Sequence, residues 1–266
     1  MCHVDIDMDG LISLAREAGK LALELTNDLK PEFKADASLV TRADREVELF
    51  IRNRLKSQYP SFSFLGEEFG RHGDDDAPLW AVDPIDGTTN LVFGIPFWGV
   101  SIGLIIKGEP AAGVFYMPRT EDMFHAVKGK GGFWNGKRLQ VQDRSEFHPE
   151  DPIGFTSSAL KNLPVGCLVG RLRCLGSIAG DIAHTATGAL TGLVGFTEGA
   201  YDMAAALCVA YEAGCSSAYL TGEPFDLGEI LRDGNTKKPF VIAPPSTLKL
   251  LSNIFAGASW PKVPVK

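Results

Sequence analysis

A helical apolar period near the N-terminus, strand-like runs through the middle, and alternating strands and helices beyond residue 150 predict an α/β protein of layered sheets and helices, not a purely parallel doubly wound sheet. Residues 9–28 read as a helix, because Leu11, Leu14, Ala15, Ala18, Leu21, Ala22 and Leu25 recur at helical spacing. Residues 29–38, with Lys30, Pro31, Lys34 and Asp36, break that period and read as a loop. A second helix fits 43–58, where Val47, Phe50, Ile51, Arg54 and Leu55 share a face, and Pro60 stops it. From residue 62 the period shortens. Segments 62–65 and 79–82 read as short strands that run into acidic residues. Segments 98–106 and 111–117 are strand-like, with a turn signature at Lys107-Gly108-Glu109-Pro110 between them. Further strands are expected at 124–127, 132–134 and 138–141, with Asn135-Gly136 as a hairpin turn.

The polar span 143–152, with His148-Pro149, divides an N-terminal α+β half (1–147) from a C-terminal α/β half (148–266), the two expected to form one compact unit. Beyond it, a strand near 153–157, a helix near 177–189, a strand near 192–197 and a helix near 202–213 are expected. There is no internal repeat and no low-complexity tract.

The 266 residues, 45% hydrophobic, suffice for a sizeable core. A net charge of −7 argues against nucleic-acid backbones and anionic membranes as partners, since both reward a basic surface. An acidic protein acting on an anion needs local positive charge, which bound metal ions supply. Five cysteines (Cys2, Cys167, Cys174, Cys208, Cys215), with no C-x-x-C spacing, read as reduced thiols. No basic stretch followed by an apolar run opens the chain, and no segment reaches the ~18 apolar residues of a membrane helix. The expectation is a soluble, cytoplasmic protein. The histidines show no metal-ligand spacing and read as surface or packing residues.

Trp80 to Asn90 carry the most chemistry. A strand is expected to end at Asp83, Pro84 to fix a turn, Asp86 to follow two residues later, and Gly87 to let the chain enter a helix. That aims two carboxylates at one point, beside the free amides of a helix N-terminus. Carboxylates are hard oxygen ligands for Mg²⁺, and helix amides are donors for phosphate. An ordinary acidic turn would explain any two of these residues, but not the whole string. Gly87, Thr88 and Thr89 are therefore candidate phosphate contacts.

Asp83-Pro84-Ile85-Asp86-Gly87-Thr88-Thr89-Asn90 resembles the signature of the inositol monophosphatase family. Three more segments agree in order: Leu39-Val40-Thr41-Arg42-Ala43-Asp44, Gly66-Glu67-Glu68, and Tyr201-Asp202-Met203-Ala204-Ala205, with Tyr201 where the family usually has Trp. The resemblance implies an αβαβα sandwich of the inositol monophosphatase/fructose bisphosphatase type. It implies a phosphomonoesterase in which bound metal activates the attacking water. One Mg²⁺ would sit on Glu67, Asp83 and the Ile85 carbonyl, a second on Asp83, Asp86 and Asp202, and a weaker third near Glu67, with Mn²⁺ as a substitute. Thr88, paired with Asp44, would orient the water. Glu68 is read as capping or pairing nearby, and Asp74-Asp75-Asp76 as a solvated loop.

The resemblance also implies a homodimer acting on a small phosphorylated metabolite of the inositol monophosphate kind. Gly176-Ser177 matches a segment that touches substrate. The family's ring-binding acid, seven positions before the late Asp, falls on Gly195; nearby Glu198 is the candidate in its place. Asp181 is either polar lining or solvated. Fructose bisphosphate, histidinol phosphate, NADP and phosphoadenosine phosphate are alternative substrates, and a non-catalytic regulator is the competing class. Loop 29–38 is expected to cover the site, with Lys30 and Lys34 as surface charge.

Overall fold

The structure, a computed structural model, describes residues 5–26, 31–34, 38–163 and 170–256. Helix α1 (Met8–Leu25) begins where Asp7 accepts the Gly10 N–H at 2.9 Å, and it buries Leu11, Leu14, Ala15, Ala18 and Ala22. A short ribbon, β1 (Glu32–Phe33) and β2 (Leu39–Val40), leads into α2 (Arg42–Gln58). Thr41 caps α2: its hydroxyl accepts the Ala43 N–H at 3.1 Å, and Asp44 reaches back to accept the Thr41 N–H at 2.7 Å.

The large sheet comprises β3 (Ser63–Gly66), β4 (Gly70–His72), β5 (Leu79–Asp86), β6 (Gly99–Ile106), β7 (Glu109–Met117), β8 (Asp122–Val127), β9 (Gly131–Trp134) and β10 (Lys137–Arg138), with the short helix α3 (Thr88–Val92) between β5 and β6. Its spatial order is β10-β9-β8-β7-β6-β5-β3-β4, and only β3 and β5 pair in parallel. Lys107 and Gly108 have φ of 53° and 78°, and Asn135 and Gly136 have 48° and 76°. Two successive positive φ values give a two-residue turn whose twist suits a hairpin, so both predicted turns form.

The second sheet, ordered β12-β11-β13-β15-β14, is built from β11 (Pro152–Phe155), β12 (Arg171–Arg173), β13 (Gly192–Gly195), β14 (Ser216–Tyr219) and β15 (Phe240–Ala243). The helices among them are α4 (Ser157–Asn162), α5 (Ile178–Thr187), α6 (Ala200–Glu212), α7 (Leu227–Asp233) and α8 (Pro245–Ile254). Helices α1 and α2 cover one face of the large sheet through a core that includes Leu11, Ile51, Trp80 and Ile102. Helices α5 and α6 fill the space between the sheets, where Ile182, Met203 and Leu207 meet Phe115, Phe124 and Phe240. Helix α8 closes the outer face, with Leu251 and Phe255 against Phe155 and Val241. The layers thus run α-β-α-β-α, the sandwich that the resemblance implies. No helix among the described residues is long and apolar enough to cross a membrane.

Strand β5 departs from expectation. It does not end at Asp83 but runs through Pro84 to Asp86, and its pairing with β6 shifts register between Asp83 (opposite Ser101) and Asp86 (opposite Gly99). A bulge is one of the few sheet positions that accept proline, and it re-aims the side chains on either side. The strand expected at 138–141 is confined to Lys137–Arg138. Elements β14, α7, β15 and α8 carry no expectation from the sequence.

Candidate active site

The two acids of β5 are carried by this bulge. Asp83 accepts the Ile85 N–H at 2.8 Å. Asp86 is turned toward the start of α5, where it accepts the Ala179 N–H at 2.8 Å, the Ile178 N–H at 3.2 Å and the Ser177 hydroxyl. The positive end of α5 and a hydroxyl donor thus hold one carboxylate. At the β5–α3 junction Gly87 has φ 97°, a left-handed conformation that favours glycine, and the chain turns at once into α3. The Thr88 hydroxyl then lies 2.9 Å from Asp44 Oδ1 and 3.1 Å from the Ile85 carbonyl.

Beside this turn opens a cavity of about 800 Å³. Glu67, Asp83, Ile85, Asp86, Gly87, Thr88, Thr89, Gly176, Ser177, Glu198 and Asp202 all line it. Asp44 is the sequence candidate that does not; it is fully buried behind Thr88 and reaches the cavity only through that hydroxyl. No histidine or cysteine lines the cavity among the described residues. His184 instead packs on Phe97 and Phe124, and His125 on Phe133. Asp74, Asp75 and Asp76 are exposed; they precede the start of β5, whereas Asp83 and Asp86 stand at its end, and none of the three lines the cavity. Cys2, Cys167, His3 and Lys30 lie outside the described residues.

The charge balance in the cavity is unfavourable as it stands. Burial raises the Asp83 carboxyl well above the usual range, and the charges of Glu67, Asp86 and Asp202 add to it. Asp202 is raised in the same way, by burial first and then by Glu67, Glu198 and Asp86. Burial lifts Asp86 to about 6 against the donors at the start of α5. Clustered carboxylates that repel one another in a dry site demand a cation. Lys34 provides one: its ammonium lies 2.8 Å from Glu67 and 2.5 Å from Glu68, and the two acids outweigh burial in holding its proton more tightly than usual. Lys34 is therefore not the free surface charge expected from the sequence.

These acids fit a hard divalent cation by donor type and by their uncompensated charge. Among the described residues no three acidic, histidine or cysteine side chains are already drawn into an ion cage. The reason lies in their present partners: Glu67 faces Lys34, Asp86 faces α5, and Asp202 accepts the Gly199 N–H at 2.7 Å.

The far wall of the cavity comes from the second sheet. Counting back from Asp202 leads to Gly195, but Gly195 ends β13, where a Cβ would stand 2.2 Å from the Phe240 ring. No acid fits there. Glu198 is the acid that lines this wall, and its backbone is pinned by Thr236, which exchanges hydrogen bonds with it at 2.9 and 3.1 Å. Burial, then the Asp86 charge, pushes Glu198 up to about 8. Asp181 also lines the cavity; it is buried, and its Oδ1 has no hydrogen-bond partner.

Two residues that join the site went unassigned by the sequence. Asn90 donates through Nδ2 to the Phe97 carbonyl at 2.6 Å and to the Leu175 carbonyl at 2.7 Å, tying α3 to the Gly176-Ser177 segment of the second half. Glu48 on α2 accepts the N–H groups of Glu68 and Phe69. An acid one helical turn after Asp44, beside the apolar Val47, was the available signal for Glu48. For Asn90 the signal was its place in the Asp-Gly-Thr-Thr-Asn string.

Comparison with known proteins bears on the family and the fold. Residues 7–240 match the model of the inositol monophosphatase family. Inositol monophosphatase 1 of Mus musculus is 34% identical over 237 residues, covering 83% of this chain and 86% of its own length. Among solved structures, the extragenic suppressor protein suhB of Bartonella henselae superposes with a TM-score of 0.82 at 30% identity, over 95% of this chain and 99% of its own. The inositol-monophosphate-bound SaIMPase-II superposes at 0.77 with 26% identity, over 93% of each chain. With the αβαβα layers, the Asp83–Asp86 bulge and the Thr88–Asp44 pair all in place, this chain belongs to the inositol monophosphatase family and is a phosphoric monoester hydrolase.

Proposed function

We propose that this enzyme is a Mg²⁺-dependent phosphomonoesterase acting on a small soluble polyol or sugar phosphate, with inositol monophosphate, the ligand of one relative, as the first substrate to test. The observation that carries the reading is the Thr88 hydroxyl held on buried Asp44 at the edge of a cavity walled by Glu67, Asp83, Asp86 and Asp202. Those four acids, with the Ile85 carbonyl, are the residues that would hold two to three ions. Bound Mg²⁺ would neutralise charge on the transferring phosphoryl group and acidify a water at neutral pH.

The protein's own residues supply position. A hydroxyl has one proton to give and two lone pairs. Once Thr88 donates to Asp44, it can only accept toward the cavity, and so it receives a hydrogen bond from water and fixes where that water's lone pair points. Asp44 is itself held by the Thr41 N–H and hydroxyl at 2.7 and 2.6 Å, so it cannot swing away. Gly87 and Thr89 flank the phosphate position. Glu198 is the acceptor for substrate hydroxyls, and Gly176-Ser177 shapes the floor between the two.

The test is phosphate release from inositol phosphates, fructose bisphosphate, histidinol phosphate, NADP and phosphoadenosine phosphate, with and without Mg²⁺. Mg²⁺-dependent turnover that Asp86→Asn abolishes in a folded protein is the expected result. Activity near wild type in Asp86→Asn, or turnover indifferent to chelation, would overturn the reading.

A further inference from the structure

Glu48 stands one turn beyond Asp44 on α2 and faces the same side of the helix. It is fully buried. One carboxylate oxygen accepts the Glu68 N–H at 2.7 Å and the other accepts the Phe69 N–H at 3.0 Å. Its Oε1 also occupies the space beside Gly66, where a Cβ would stand only 1.9 Å away. Residues 66–69 therefore wrap around this carboxylate, and only glycine at 66 permits the approach. Glu67 sits inside that wrap. Its own N–H donates to the Val82 carbonyl at 3.2 Å, one residue before Asp83. The chain at Glu67 is thus tied to β5 through its own N–H and to Glu48 through the next two amides, while its side chain pairs with Lys34.

Nothing about packing alone calls for an acid at this position. A buried carboxylate is expensive unless its hydrogen bonds are satisfied, and an apolar residue would fill the volume at lower cost. Burial pushes the Glu48 carboxyl up to about 7, even with two amides bound to it and with the charges of Glu68 and Glu67 acting in the same direction as burial. What an acid provides, and an apolar residue does not, is a pair of acceptors for two consecutive amides.

We propose that Glu48 is a positioning residue: by holding the Glu68 and Phe69 amides it aims Glu67 into the cavity and so sets the affinity of the acidic site for its divalent cation. Helix α2 then orders both sides of the reaction centre, Thr88 through Asp44 and Glu67 through Glu48. The inference rests on the Mg²⁺-dependent reading of the site.

The experiment is calorimetric titration of the substrate-free protein with Mg²⁺, comparing wild type with Glu48→Gln and with Glu46→Gln, a surface acid on the same helix. A glutamine offers one acceptor and turns two donors toward the other amide, so only one of the two hydrogen bonds survives. Groups that orient a metal ligand typically change affinity on the order of 10- to 100-fold when altered. Glu48→Gln should weaken Mg²⁺ binding by a factor in that range and raise the half-saturating Mg²⁺ for hydrolysis by a similar factor. Its kcat at saturating Mg²⁺ should fall by less, and Glu46→Gln should bind as wild type does. If Glu48→Gln does not fold, Gly66→Ala, whose methyl group would press on the same carboxylate, should weaken Mg²⁺ binding in the same direction. A folded Glu48→Gln that melts lower but binds Mg²⁺ as tightly as wild type would overturn the proposal while leaving the phosphatase reading intact. A wild type that takes up no Mg²⁺ would overturn both.

Discussion

Thr88 and Asp44, 44 residues apart in the chain, meet with the Thr88 hydroxyl 2.9 Å from Asp44 Oδ1. One partner opens the helix after the bulged strand and the other sits in the capping box of α2. The bond thus depends on two helix starts being brought face to face. Removing the hydroxyl with Thr88→Ala should lower kcat on the order of 10²- to 10⁴-fold, the usual range for a group that manages the reacting proton. Thr88→Ser should keep most of the activity, since it keeps the hydroxyl. Steady-state kinetics beside thermal melting checks both; equal activity in Thr88→Ala would remove Thr88 from the mechanism.

Stability should depend on pH through Glu48. Burial lifts its carboxyl from the ordinary 4.5 to about 7 in the folded protein. The folded state holds the proton more tightly than the unfolded chain, so this contribution is present in full below about 4.5 and is lost as pH rises through about 7. In chelator, the stability of wild type relative to Glu48→Gln should fall across that window, by up to the order of 3 kcal/mol. Denaturant melts at pH 4.5, 6 and 8 measure it. A difference that stays flat would show that Glu48 keeps one protonation state throughout.

Glu198 and Gly195 should separate cleanly. Glu198→Gln, which replaces one carboxyl oxygen on the cavity wall with an amide donor, should raise KM for a polyol phosphate about tenfold. Gly195→Ala, which drives a methyl group into the Phe240 ring, should destabilise by about 1–3 kcal/mol with no selective effect on KM. The reverse pattern would return the substrate-binding role to the strand position.

Asn90 should matter to both stability and activity. Asn90→Ala leaves the Phe97 and Leu175 carbonyls without their shared donor, at a cost of about 1–3 kcal/mol. Because Leu175 precedes the Gly176-Ser177 segment, activity should fall together with the melting temperature. Full activity in a destabilised Asn90→Ala would mean that the second half keeps its position without the link.

The sequence by itself determined the helices of the first 60 residues, both glycine-containing hairpin turns and the identity of the acids. Each is a local property: apolar residues recur at helical spacing, two successive positive φ values favour Asn-Gly or Lys-Gly, and the Asp-Pro-Ile-Asp-Gly-Thr-Thr-Asn string is contiguous. Only the tertiary structure decided what depends on distant segments meeting. It replaced a turn after Asp83 with a bulge in β5, because the pairing of β5 with β6 is long-range. It set Glu198, not position 195, on the cavity wall, because strand β13 packs that position against Phe240. It turned Lys34 from a surface charge into the cation of Glu67 and Glu68, because burial makes those acids demand one. The chemistry of the site is written in residue types, whereas its aim comes from long-range packing that brings α2, the bulged strand and the start of α5 to one place.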